Sequence, residues 1–216
     1  MNRRQATYTH RMPRPRLHDD ALRDRLLEVA SAAISRGGVD ALRVRDVAAS
    51  AGTSASAVYA LFGGRDELVR AVGDEAFRRF AAHLGRAGRT DDPATDLLSL
   101  GLAYRTSALT DPHFYRVMFE AARVGAQEPS QGPATAHPTF VVLRDAVDRV
   151  LGLTGAPRRE DDALEAAVQL WGLVHGLVGL ELAGLVPGDA REREERFRGA
   201  LLAVGTALLD GPRGDG

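Results

Sequence analysis

The 216-residue chain has no cysteine and no lysine. The first absence excludes a disulfide framework and any thiolate metal site. The second makes all 28 basic residues arginines, which we read as a GC-rich coding bias and not as a function. Aromatic residues are scarce at 6%, with a single tryptophan. The six histidines, His10, His18, His83, His113, His137 and His175, are scattered, and none is paired with another at helical i, i+4 spacing. A local His–His zinc site therefore has no support. Neither a Gly-x-Ser-x-Gly elbow nor a phosphate loop is present. No enzyme activity, cofactor or metal centre is expected. The longest apolar run, Leu170 to Val186, contains His175, Glu181 and spaced glycines. It is short for a membrane span and reads as a buried helix. No apolar segment follows the arginine-rich start, so no secretory signal is expected. The expectation is a cytoplasmic protein without a membrane partner.

Apolar residues make up 44% of the chain, enough for a packed core. Charge is unevenly placed. Residues 1–72 hold 12 arginines against 8 acids, and residues 73–216 hold 16 against 21. A basic front and an acidic rear suit a protein that shows one end to nucleic acid.

The chain is organised around Val44 to Phe62. Val47, Ala48 and Ala51 give one apolar face, and Gly52 can take the positive φ that stops a helix sharply. Thr53 or Ser54 then supplies an N-cap oxygen for a second helix. Val58, Leu61 and Phe62 return that helix to the first, and the small Ala48 lets the two cross closely. The product is a helix-turn-helix whose second helix can enter a DNA major groove.

The run AGTSASAVYALFGGRDELV resembles the DNA-binding end of TetR-family transcriptional regulators. The pattern is carried by Ala51, Gly52, Ser54, Tyr59, Phe62 and Arg65. One departure is Gly64, where the family usually has a capping serine. A second segment, LWGLVHGLVGLEL, resembles the C-terminal regulatory domain of one TetR branch through Trp171, His175 and Gly176.

The resemblance implies that Tyr59 and Arg65 hold phosphates. It also implies that Thr53 and Ser54 at the turn, and Ala55, Ser56, Ala57, Ala60 and Leu61 on the second helix, meet the DNA. None of these is long and basic, so readout through thymine methyls, Ser56 and DNA shape is expected. Arg43 and Arg45 are the candidates for added polar contacts.

Helical spacing predicts an all-α chain of about nine helices, in four parts. Residues 1–18 form a flexible basic arm, and residues 19–64 the helix-turn-helix domain, with its first helix starting at Asp19. Residues 65–210 form a helical ligand-binding and dimerisation domain, and residues 211–216 a frayed tail. Val124 to Pro138 reads as a mobile loop. The family implies an apolar ligand pocket, for which Phe80, Tyr104, Met118, Phe119, Phe140, Trp171 and His175 are the candidate walls. The eighth helix is expected from Arg159 to Leu185, with a small-residue stripe at Gly172, Gly176, Gly179 and Ala183. The ninth shows Phe197, Leu201, Val204 and Leu208 at heptad spacing. Together these are expected to pair with a second copy in a homodimer. The expected function is a ligand-responsive regulator, a repressor released from a palindromic operator on double-stranded DNA by a small apolar molecule. The alternative is a helical DNA-binding module that senses a protein partner or no ligand.

Overall fold

The computed structural model describes residues 16–125, 135, 137–153, 155 and 159–210. In chain order the helices are α1 (Arg16–Gly37), α2 (Val44–Ser50), α3 (Ala55–Phe62), α4 (Arg65–Gly85), α5 (Pro93–Thr110), α6 (Pro112–Gly125), α7 (Pro138–Gly152), α8 (Asp162–Leu182) and α9 (Ala190–Asp210). A single 3-10 turn, Val39–Ala41, lies between α1 and α2. Among the described residues there is no strand, and the fold is all-α with an N-terminal helix-turn-helix. Most of the expected basic arm and all of the 211–216 tail lie outside the described residues, as do residues 126–134 of the expected loop.

Local chemistry sets the helix ends. Gly52 takes φ 68°, and the Thr53 N–H donates to the Ala48 carbonyl at 2.9 Å, closing α2. Ser54 caps α3, its side chain accepting from the Ala57 N–H at 3.2 Å. Asp92 caps α5 and precedes Pro93 at the first helical position. Several boundaries differ from the sequence expectation; α6 runs on to Gly125 and α7 already opens at Pro138, both inside the expected loop. The first helix already begins at Arg16, three residues before Asp19. The eighth begins at Asp162, because the Asp162 carboxylate accepts from the Arg159 N–H outside the helix at 2.7 Å. It ends at Leu182 and not at Leu185, because Gly184 turns to φ 71° and the Leu185 N–H reaches back to the Leu180 carbonyl at 3.0 Å.

One apolar cluster runs from Leu26 and Leu27 of α1, through Val47 and Val58 of the helix-turn-helix, to Phe80, Tyr104, Phe114, Val178 and Leu201. The helix-turn-helix and the rear bundle therefore share a core. A second cluster, centred on Phe140, Val147, Ala167 and Leu170, joins α7 to α8.

Two arginines clamp the bundle. Arg79 of α4 pairs with Glu28 of α1 at 2.7 Å, Glu75 at 2.7 Å and Asp111 at 3.2 Å, with its guanidinium 4.0 Å over the Phe114 ring. Arg105 of α5 is buried and grips Glu181 of α8 with two hydrogen bonds, Nε to Oε2 at 2.8 Å and Nη2 to Oε1 at 2.7 Å. Its Nη1 reaches Glu194 of α9 at 3.3 Å. At the start of α5, Asp96 accepts from the Thr90 N–H and from Arg149 of α7 at 2.6 Å, which draws its carboxyl down to about 2.

The heptad stripe on α9 requires a correction. Phe197 and Leu201 are buried within this chain, and Leu201 lies against Gly101 of α5, where an added Cβ would meet its Cδ1 at 2.6 Å. Val204 is half-buried against the second cluster. These side chains hold α9 onto its own bundle and are not a face offered to a second copy. The Leu208 side chain lies outside the described residues.

Candidate functional site

On α3, Val58 is fully buried and sets the orientation of the helix. Successive residues rotate by 100°, so Ser56 and Ala60 point away from Val58 and Tyr59 stands to one side, and all three are exposed. Tyr59 is 55% exposed, which is unusual for an aromatic side chain beside a core. Ala57 and Thr53 flank that face and are half-buried, and Ser54 is exposed. Ala55 and Leu61 correct the expectation: they sit about 60° either side of Val58 and pack against the core. The outer face is thus narrower than the sequence suggests. Arg43 and Arg45, at the start of α2, are both exposed. Arg43 spends one Nη1 bond on the Asp40 carbonyl at 2.8 Å.

Arg65 has a role that residue type did not reveal. Its Nη2 donates to the Val39 carbonyl at 2.7 Å, its Nε to the Leu42 carbonyl at 3.2 Å, and its Nη1 to Asp66 at 3.0 Å. It therefore ties the start of α4 to the turn that precedes α2. Arg25 supports the motif in the same way through the Ala51 carbonyl at 3.4 Å.

Gly52 offers a clean test of the turn. Nothing lies within 4 Å of an added Cβ, so only its positive φ resists substitution. Gly52→Ala is expected to cost about 1–2 kcal/mol of stability, measured by urea unfolding. The cap at Ser54 should remain intact.

The rear bundle holds a chain of aromatic and polar contacts. Phe80 meets Tyr104 edge-on, Phe119 stacks near His175 with centroids 4.1 Å apart, and Trp171 lies between Phe119 and Phe140. The Tyr115 hydroxyl is 2.6 Å from His175 Nδ1 and 3.2 Å from the Tyr104 hydroxyl. Burial raises both tyrosines, Tyr115 to about 12, and lowers His175. With neutral His175 protonated on Nε2, the Tyr115 hydroxyl donates to Nδ1.

Beside this network an open cleft of about 400 Å³ lies between α6 and α8. Tyr115, Arg116 and Phe119 line one side, and His175, Gly179, Leu182 and Ala183 the other. Of the seven expected pocket walls, Phe119 and His175 line this cleft. Phe80, Tyr104, Met118 and Phe140 are buried in the packed core, and Trp171 stands behind Phe119. Sequence reasoning missed Tyr115 and Arg116 as lining residues. The available signal was the i, i+4 pairing of Tyr115 with Phe119.

A neutral His175 contributes stability above its ordinary value of 6.5 that is lost as pH falls toward its lowered folded value. The melting temperature should therefore drop on going from pH 7.5 to pH 5, and drop less in His175→Gln. His137, also lowered by burial, accounts for a remaining share.

The small-residue stripe of α8 is exposed. Gly172, Gly176, Gly179 and Ala183 all face outward, with no atom within 4 Å of an added Cβ at any of the three glycines. Val168 and Leu180 flank them at 43% and 47% exposure. By length and composition α8 is apolar enough to cross a membrane, and only 28% of its most apolar window is buried in the chain, so it is not the buried helix that the sequence suggests. On α9 the neighbouring outward positions are Gly199, Leu202, Ala203 and Thr206.

Comparison with known proteins places these features. Residues 26–72 match the family model described as bacterial regulatory proteins, tetR family. Residues 97–204 match the model described as tetracyclin repressor-like, C-terminal domain. The chain is 30% identical over 169 residues to an uncharacterised HTH-type transcriptional regulator of Mycobacterium tuberculosis, covering 76% of this chain and 72% of that protein. In structure it is similar to a TetR family transcription regulator from Marinobacter aquaeolei, with a TM-score of 0.67 at 20% identity, covering 88% of this chain and 98% of that one. It is also similar to the TetR family transcriptional regulator PfmR from Thermus thermophilus, with a TM-score of 0.63 at 22% identity, covering 86% and 99%. The chain belongs to the TetR family of DNA-binding transcriptional regulators.

Proposed function

We propose that the protein works as a homodimeric repressor, released from a palindromic operator when a small molecule enters the rear bundle. Residues 19–64 would read DNA, and residues 65–210 would bind ligand and dimerise. The observation that carries the DNA-facing part is the disposition of α3, pinned by Val58 with Ser56, Tyr59 and Ala60 open to a groove. That face has no arginine or asparagine, so bidentate pairing to guanine or adenine from it is excluded. Thymine methyls against Ala57 and Ala60, Ser56 and DNA shape carry the readout, with Arg43 and Arg45 beside them.

Ligand response is supported by how α6 is tied at both ends of its face. It lines the cleft through Tyr115, Arg116 and Phe119. It also touches α1 through His113 and Ser35 at 3.2 Å, and α4 through Arg79, whose guanidinium lies 4.0 Å over the Phe114 ring. A ligand that favours one placement of α6 biases α1 and α4, and with them the spacing of two recognition helices. Dimerisation is supported by the exposed glycine stripe of α8. The α9 contribution falls to Leu202 and its small neighbours, in place of the buried heptad residues.

The test is fluorescence anisotropy on the gene's own upstream DNA at several salt concentrations. Arg45→Ala is expected to lose about 1–3 kcal/mol of binding, and Tyr59→Phe to weaken all sequences alike. Full-strength binding by the double variant would remove α3 and α2 from the interface. Arg65→Ala is the wrong probe, because it also releases the Val39 and Leu42 carbonyls.

A further inference from the structure

We propose that the cleft between α6 and α8 selects an amphipathic carboxylic acid, with its carboxylate on Arg116 and its apolar body against Phe119 and Leu182. This rests on the ligand-responsive reading above and narrows it from an apolar molecule to an anionic one. The polar groups of the cleft divide into two kinds. The Tyr115 hydroxyl and His175 Nδ1 satisfy each other at 2.6 Å, which leaves the neutral Nε2–H of His175 as a second donor to an anion and no charge on this side of the cleft. Arg116 is different. It is exposed, and its described hydrogen bond goes to the neutral Ser35 hydroxyl at 3.5 Å, the limit of such a contact. No acidic residue lines the cleft among the described residues. The remaining lining is apolar or small, through Phe119, Leu182, Gly179 and Ala183. A guanidinium at the mouth of an apolar cleft favours a planar anion that it can hold with two N–H groups. The volume, about 400 Å³, suits a small ligand. Gly179 and Ala183 belong both to the cleft and to the exposed stripe, so a second copy docked on the stripe stands at the rim.

The chain carries its own reporter. Trp171 is the single tryptophan and lies 6.1 Å from the Phe119 ring. Full-length protein is titrated with decanoate and 4-phenylbutanoate, each against its matched alcohol and amine, following Trp171 fluorescence. Each acid is expected to bind at least about tenfold more tightly than its alcohol, and the amines more weakly still. Arg116→Gln should erase that preference, and Arg116→Lys should keep most of it, with melting temperatures unchanged because Arg116 is exposed. The proposal is overturned if the alcohol or amine binds as well as the acid, if Arg116→Gln keeps the preference, or if no probe binds. DNA release, read in parallel, separates the two ideas. An acid that binds through Arg116 without releasing DNA keeps the ligand class and removes the ligand-responsive reading. An alcohol or amine that binds and releases DNA does the reverse.

Discussion

Gly176→Glu is expected to leave the fold intact, turn the protein monomeric and weaken binding to a two-half-site operator by about 10²–10⁴-fold. Glycine inside a helix costs roughly 1 kcal/mol relative to alanine, and α8 carries Gly172, Gly176 and Gly179. Within the chain nothing compensates that cost, because the space around each missing Cβ is open. On the proposed dimeric reading the compensation comes from a close approach to this helix, and the flanking Val168 and Leu180 suit an apolar one. A second α8 fits by two-fold symmetry, since the same patch meets itself. A glutamate at the centre of the patch places two like charges in a closing interface and needs no rearrangement in the monomer. Gly176→Ala separates the effects: it should stabilise the isolated chain slightly and still weaken the dimer. Light scattering reads the mass, and anisotropy reads the DNA affinity. A Gly176→Glu protein that stays dimeric would move the interface elsewhere.

Arg105→Ala is expected to lose about 3–5 kcal/mol of stability, enough to unfold a marginal domain at 37 °C. The Arg105 and Glu181 side chains are 7% and 8% exposed, and their two-bond contact joins α5 to α8. Removing the arginine leaves a buried carboxylate whose other cation, Arg193, stands 3.6 Å away with its Nε otherwise unpaired. The ring of Phe197 also loses the guanidinium 5.9 Å from its centroid. Arg105→Lys cannot restore the fork geometry and should recover part of the loss. The double change Arg105→Met with Glu181→Leu removes both charges together and should come close to the parent in urea unfolding, since paired buried ions contribute little net stability. Equal losses in the single and double variants would show that packing, not charge, holds this junction.

The helix-turn-helix was legible because its signals are local. Gly52 needs positive φ, Ser54 has a cap to make within three residues, and Val58 defines a face by periodicity alone. Longer-range features were not. Periodicity groups Phe197, Leu201 and Val204 on one side of α9, but it does not say which surface covers that side. Here α5 covers it, at Gly101. Arg65 fits a family position, yet two of its three acceptors are carbonyls more than twenty residues away, which no spacing rule reveals. The candidate pocket was misjudged for a related reason. Large apolar side chains such as Phe80 and Met118 mark a core, whereas the lining of an open cleft includes small and charged groups, Gly179 and Arg116, that a search for apolar walls passes over. Arg105 and Glu181 stand 76 residues apart, and their pairing follows only once α5 and α8 are packed.

The most direct measurement is a footprint of the full-length protein on its gene's upstream DNA, combined with the number of chains bound. Two protected half-sites centred about 34 Å apart, two chains per site, and loss of protection in the Arg45→Ala, Tyr59→Phe double variant are the predicted result. One chain on one half-site, or protection that survives the double variant, would contradict it.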